Sequence, residues 1–565
     1  MDVVEARLTV SIEMVDGDWS ATVDGAAAMT TFDEGVIYVT RPNGQKFSGA
    51  VSVDGAQIRG HWFQPSSPAG LNYQDVATPI VLPAVVNGKW QADIALQSRP
   101  FRIYLDVFEG EGAEAFAVIR NPESNNTLGA SRFRLVADED GGWTLVTGSG
   151  ERERRHDLEQ PAEEELLLEY DGFDEPITLR PATDALTVGY YSRQDKDPPA
   201  RPTTLSLLDD GWVVAAPDEV GFDPAALRAL TAELASTDPR NRRPRMIHSL
   251  LVSRGGKLVY EEYFFGHDRE TRHDVRSLGK VFGSIMIGAL QQQGYTIDAS
   301  RRPIPDMLQR AGQPINDPRK ADITLGHLMT FTSGLDCDVN SDSIGSEERM
   351  WEQQGEKNFW LYTARLPVLH DPGVRYAYCS GSANLVGASL NEVGGASVHE
   401  LFDRLIAKPL QFGTYHWALA PNGEGYLGGG AYMKPRDILK IGAMFAAGGV
   451  WNGKQVIDED WVRESTTPQV AISPETTGMT PEVFGNNYFG GSQAYIWRVD
   501  TVAVGERRYA SYEASGNGGQ LLIIVPELDL AVAFTGGNYR MGGIWGRWRN
   551  EIVGGHIIPA ITDLP

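Results

Sequence analysis

Cysteine is nearly absent from this sequence: there are two among 565 residues, Cys337 and Cys379. Two thiols cannot build a disulfide framework or a four-cysteine zinc site. No apolar run is long enough to cross a bilayer as a helix, so no membrane span is expected. Positive charge is also scarce. Fifty Lys and Arg against 75 Asp and Glu leave a net charge of -25, and like-charge repulsion opposes nucleic acid or anionic lipid as a partner. The deficit is steepest in residues 1–205, with 33 acidic against 17 basic residues, read first as a solvated surface. H-E-x-x-H, a P-loop and paired Cys/His spacings are missing, so neither a metal nor a cofactor is expected. G-x-S-x-G is missing as well. Gly490-Gly491-Ser492-Gln493-Ala494 only approaches it, which counts against a Ser-His-Asp enzyme of the α/β type. The opening Met-Asp-Val-Val-Glu-Ala-Arg has no basic segment followed by an apolar one. The chain is then either cytoplasmic or a mature form whose signal is gone; the mature form, periplasmic or secreted, is favoured.

What is present suggests two domains. Up to about residue 205, short β-rich runs such as 35–39 and 101–108 alternate with Gly, Asp and Asn turn signals, which implies an antiparallel barrel or sandwich of possibly lipocalin-like form. A short acidic helical piece is expected around 163–169. The stretch 196–202 holds three prolines, fits neither ladder nor helix, and reads as a boundary. Residues 206–565 form the second domain. A helix is expected within 217–236, after Asp223 and Pro224, followed by a hairpin over 247–253 and 257–264. Helices follow over 278–293, 322–329, 383–392, 398–405 and 435–447, and strands return at 495–499, 520–525 and 530–535 before a helical 545–553. Strands at both ends enclosing helices predict one antiparallel sheet shared by the domain's two ends, beside a helical subdomain, an α+β arrangement.

Ser277-Leu278-Gly279-Lys280 is the only S-x-x-K in the chain. A serine opening a helix and a lysine three positions on share one face, so the amine can reach the hydroxyl and activate it. Backbone N–H groups at the helix start can stabilise a developing oxyanion. Roughly one such tetrapeptide arises by chance in a chain of this size, and its plain reading is an N-cap serine with a solvated lysine. Context raises it. Tyr376-Ala377-Tyr378-Cys379-Ser380 precedes a helix, and a phenol held near a lysine can relay the serine proton; taken alone, such a tyrosine more often packs in a core. Glu513-Ala514-Ser515-Gly516-Asn517-Gly518-Gly519-Gln520 runs into a strand. Small residues on an edge strand let a substrate approach a free N–H, although a glycine-rich turn is the commoner meaning.

Taken in order, Ser277-x-x-Lys280, Tyr378-Cys379-Ser380 and Ser515-Gly516 resemble the three motifs of the class C β-lactamase and penicillin-binding esterase superfamily. The segments 327–335 and 428–437 are similar to stretches of that family too, and the resemblance covers about 212–553. It implies a β-lactamase/transpeptidase-like domain working as a serine hydrolase through an acyl-enzyme. Ser277 would be the nucleophile and Lys280 with Tyr378 the coupled base and acid. Ser277 and Asn517 N–H groups would be the oxyanion donors, with Ser380, Ser515 and Gly516 at the substrate. Two departures limit the transfer. Ser380 stands where lactam-cleaving members carry Asn, and Ala514 stands where they carry Lys or His. The missing cation removes a partner for a substrate carboxylate, which favours a small-molecule ester or small amide over penicillins or peptidoglycan stems. A β-lactamase, a D-amino-acid peptidase or amidase, and a degenerate ligand-binding protein are the alternatives. Cys337 and Cys379 are either a disulfide bracing the site or two buried thiols. The acidic loop at Asp336, Asp338, Asp342, Glu347 and Glu348 is read as solvated surface that could favour cationic substrates. An oligomer is compatible with the sequence.

Overall fold

The computed structural model describes residues 6–66, 74–86, 88–97, 102–110, 114–121, 132–137, 142–148, 150, 153–169, 175–193, 203–241, 243–339, 342–487 and 490–564. The boundary expected at 196–202 lies outside the described residues.

Eight N-terminal strands, β1 (Arg7–Val15), β2 (Asp18–Val23), β3 (Ala26–Asp33), β4 (Val36–Thr40), β5 (Lys46–Val51), β6 (Gln57–Gln64), β7 (Val76–Val86) and β8 (Lys89–Ala95), pair antiparallel in chain order. β8 returns to pair with β1, with Ile12 opposite Trp90, and this closes an up-and-down barrel. Period-two alternation sends Val10 and Ile12 of β1 inward, where Phe47, Trp62 and Trp90 fill the interior. Asp16-Gly17, Asp24-Gly25 and Glu34-Gly35 all adopt positive φ. Two consecutive left-handed residues match the twist of the flanking strands, so these pairs make tight hairpins.

A second, open sheet follows: β9 (Tyr104–Glu109), β10 (Ala115–Arg120), β11 (Arg132–Ala137), β12 (Trp143–Thr147), β13 (Arg154–Ala162), β14 (Glu165–Leu168) and β15 (Ile177–Leu179) form a seven-stranded meander. The acidic segment expected to be helical is instead the turn into β14 and β14 itself. Leu168 pairs with Leu158 and is fully buried, so tertiary burial outweighs the helix propensity of the glutamates. The meander docks through Arg120, 1% exposed, whose guanidinium donates to the carbonyls of Pro239 and Asn241. Asp106 receives both the Tyr190 hydroxyl and the Arg240 guanidinium.

The C-terminal domain is built on a nine-stranded sheet. Its centre is the antiparallel run Lys257–Tyr263, Ile247–Arg254, Leu530–Gly536, Gln520–Val525, Arg507–Gly516 and Arg498–Val504, joining segments almost 300 residues apart as expected. One face packs on helices Val281–Gln292 and Pro435–Ala446. The other packs on helix Pro224–Ala235 and the C-terminal helical segment Arg549–Ile557. A small ribbon of strands His416–Ala418, Ala431–Met433 and His273–Asp274 continues the barrel sheet, because Ala418 and Trp417 pair with Val76 and Ala77 of β7. Buried Thr78 and His416 seal that junction with a 2.7 Å hydrogen bond.

Candidate active site

The S-x-x-K segment is not part of the regular α-helix. Arg276–Lys280 is a 3₁₀ turn leading into helix Val281–Gln292. Residues three apart eclipse one another in 3₁₀ geometry, which aligns Ser277 with Lys280 more directly than an α-helix would. Lys280 is 1% exposed, and its Nζ donates to Ser277 Oγ at 2.9 Å and to the Gly428 carbonyl. Two glycines let neighbouring chain approach this turn. A Cβ on Gly516 would overlap the Val275 carbonyl oxygen, and one on Gly429, at φ 135°, would overlap backbone of Arg276. Arg276 itself is held at φ 51°, a strained conformation for a residue with a side chain. Asp274 over-determines it: its carboxylate accepts from the Arg276 N–H at 3.0 Å and pairs with its guanidinium.

Tyr378 reaches the same place from the segment before helix Ser380–Gly394. Lys280 Nζ lies 5.0 Å from the centre of its ring, and Phe331 packs against it. Tyr376 also faces the cleft, but it is 4% exposed and its hydroxyl is bonded to Gln493. Cys337 and Cys379 are joined by a disulfide with Cα atoms 5.3 Å apart. The bond ties the residue after Tyr378 to the loop that follows Gly334.

Ser277, Lys280, Tyr378, Ser515, Gly516 and Asn517 line one cleft of ≈1980 Å³. Ser380 requires a correction. It is fully buried, and its hydroxyl donates to Glu347 Oε2 at 2.8 Å, so it is unavailable to a substrate. Glu347 also accepts the Tyr426 hydroxyl at 2.6 Å; this member of the acidic loop is an internal acceptor rather than solvated surface. Ala514, 2% exposed, keeps the third motif without a cation of its own, while Glu513 beside it pairs with Arg549.

Sequence reasoning missed one wall of the cleft. Phe108, Phe116, Arg132 and Arg134 of the meander line it opposite the C-terminal domain, and Arg132 lies over the Phe116 ring at 4.1 Å. No local pattern announces this, since the wall depends on long-range contacts such as those of Arg120 and Asp106 that dock the meander.

The family model described as Beta-lactamase matches residues 240–537, more than half of the chain. The chain belongs to the Beta-lactamase family. This Beta-lactamase family chain is 23% identical over 272 residues to the 6-aminohexanoate-dimer hydrolase of Paenarthrobacter ureafaciens, an alignment covering 44% of the chain and 63% of that relative, hence less than two thirds of its length. Among solved structures it is similar to a family VIII carboxylesterase at 15% identity and TM-score 0.44, covering 60% of this chain and 95% of that one. A penicillin-binding protein homolog from Caulobacter crescentus aligns at 14% identity and TM-score 0.41, over 55% and 91%. In the family's matched region lie all three motifs, and the barrel and meander lie outside it.

Proposed function

We propose that this chain is a serine hydrolase that cleaves an ester or small amide through an acyl-enzyme on Ser277. The observation that carries the reading is the 2.9 Å hydrogen bond from a buried Lys280 amine to Ser277 Oγ in the wall of a cleft shared with Tyr378. In this scheme Ser277 Oγ attacks the carbonyl carbon and its proton passes through Lys280 and Tyr378 to the leaving group. The oxyanion takes N–H groups of Ser277 and Asn517, and water then releases the acid by the reverse relay. Uncharged Ala514 supports esters over lactams that carry a carboxylate. The relative named for a 6-aminohexanoate dimer supports keeping amides in the substrate class.

The test is labelling by a fluorophosphonate together with turnover of chromogenic esters, nitrocefin and short amides. Labelling of the intact chain, its loss in Ser277→Ala, and ester turnover falling by about 10³-fold or more in that variant are expected. Unchanged turnover in Ser277→Ala would refute the proposal. Tight ligand capture with no turnover across the whole panel would favour a degenerate binding protein instead.

A further inference from the structure

Outside the cleft, three histidines meet beneath the approach to Ser277. His248 belongs to strand Ile247–Arg254, His267 to the turn after Lys257–Tyr263, and His273 to the short strand His273–Asp274. One ring nitrogen from each lies within 4.8 Å of one from each of the others, the group of this kind found among the described residues. His248 Nδ1 and His273 Nε2 are 2.8 Å apart, and the rings of His248 and His267 stack with centres 4.0 Å apart. His248 is fully buried. Its Nε2 and the Nε2 of His267 are both shut off from solvent with no hydrogen-bond partner. Burying an imidazole nitrogen without a partner is unfavourable, and ordinary side chains could fill this volume without that cost.

In its neutral form an imidazole offers a lone pair to a cation. Three imidazoles with no carboxylate or thiolate suit zinc, copper or nickel and not the hard ions magnesium and calcium.

We propose that His248, His267 and His273 bind one divalent transition-metal ion of the zinc class. In a tetrahedral site with zinc to nitrogen distances of about 2.0–2.1 Å, ligand nitrogens stand about 3.3 Å apart. That spacing falls between the 2.8 Å separating His248 Nδ1 from His273 Nε2 and the 4.8 Å limit of the cluster, and water would take the fourth position. The ion would be structural. It would clamp the central sheet to the strand that leads through Asp274 and the strained Arg276 into Ser277. The same loop anchors the chain beyond the meander, since Phe265 N–H donates to the Ser192 carbonyl. Arg102, whose charge also acts on His267, works against the cation, so the site should bind more weakly than a closed structural zinc site.

The inference does not depend on the chemistry assigned to Ser277, and its test reads metal rather than turnover. The full chain is stripped with a chelator, dialysed against zinc chloride, and assayed for bound zinc by mass spectrometry and for Tm. His267→Ala, half-buried and the mildest change to the fold, is compared with His248→Gln and with His370→Ala as an exposed control. The intact chain and the control should hold about one equivalent of zinc and gain several degrees in Tm. Both cluster variants should bind at least about tenfold more weakly. If His248→Gln fails to fold, His267→Ala decides. Zinc held equally by His267→Ala and the intact chain, or no zinc held by the folded intact chain, overturns the site.

Discussion

At the scale of single residues, geometry around Ser277 is controlled as much by what is missing as by what is present. Gly516 has no Cβ, and this alone lets the third-motif strand lie against the carbonyl of Val275, two residues before the serine. Gly516→Ala should therefore push strand and turn apart. A loss of about 1–3 kcal/mol in stability is expected from the overlap, with a fall in kcat larger than that stability loss explains; chemical denaturation and ester kinetics on one preparation check both. A variant with near-normal stability and kcat would show that the contact is slack. Ser277 and Lys280 were legible because one chemical rule, a base three residues from a hydroxyl, needs only local sequence. Ser380 was misread for the opposite reason. Its fate depends on Glu347, thirty-three positions away, and nothing near Ser380 in the chain reveals that acceptor.

Among elements, the disulfide between Cys337 and Cys379 fixes the segment that delivers Tyr378. It spans 42 positions, and closing a loop of that size restricts the unfolded chain by about 3–4 kcal/mol in the chain-entropy treatment. Reduction, or Cys337→Ser, should lower the Tm, and ester turnover should decline well below the new Tm if Tyr378 loses its placement. Calorimetry and activity with and without a thiol reductant measure the two effects. An unchanged Tm on full reduction would show that packing alone holds the segment. The sequence made these elements legible unevenly. The buried runs 520–525 and 530–535 are apolar apart from Gln520 and Thr535 and match strands Gln520–Val525 and Leu530–Gly536 nearly to the residue. Strand Arg507–Gly516, whose arginines and glutamate hide its period, went unread, and the strand expected at 495–499 begins at Arg498 instead. Register there is set by pairing across the sheet, which no local window contains.

For the whole molecule, buried histidines set the response to acid. Burial holds His61, His248, His267, His399 and His416 below the ordinary imidazole range. At these rings the unfolded chain takes up protons as pH falls through about 6.5, before the folded chain does. Their contribution is thus fully present above that pH and is lost as pH decreases below it, by up to about 1.4 kcal/mol per pH unit for each ring. Asp437 and Glu424 act in the opposite sense, because burial raises them and the folded state gains their protons first. Calorimetry in chelator at matched ionic strength should find a lower Tm at pH 5.5 than at pH 7.5; an equal or higher value at pH 5.5 would contradict the assignment of these rings as neutral.

The pairing of β7 with His416–Ala418 has an architectural consequence. That strand passes its hydrogen bonds to Ala431–Met433, which passes them to His273–Asp274, three residues short of Ser277. The barrel is therefore the first rung of a ladder whose last rung abuts the reactive turn. A chain begun after residue 95 would leave His416–Ala418 as an unmated ribbon edge, two strands from the one that leads into its own serine, open to any stray strand.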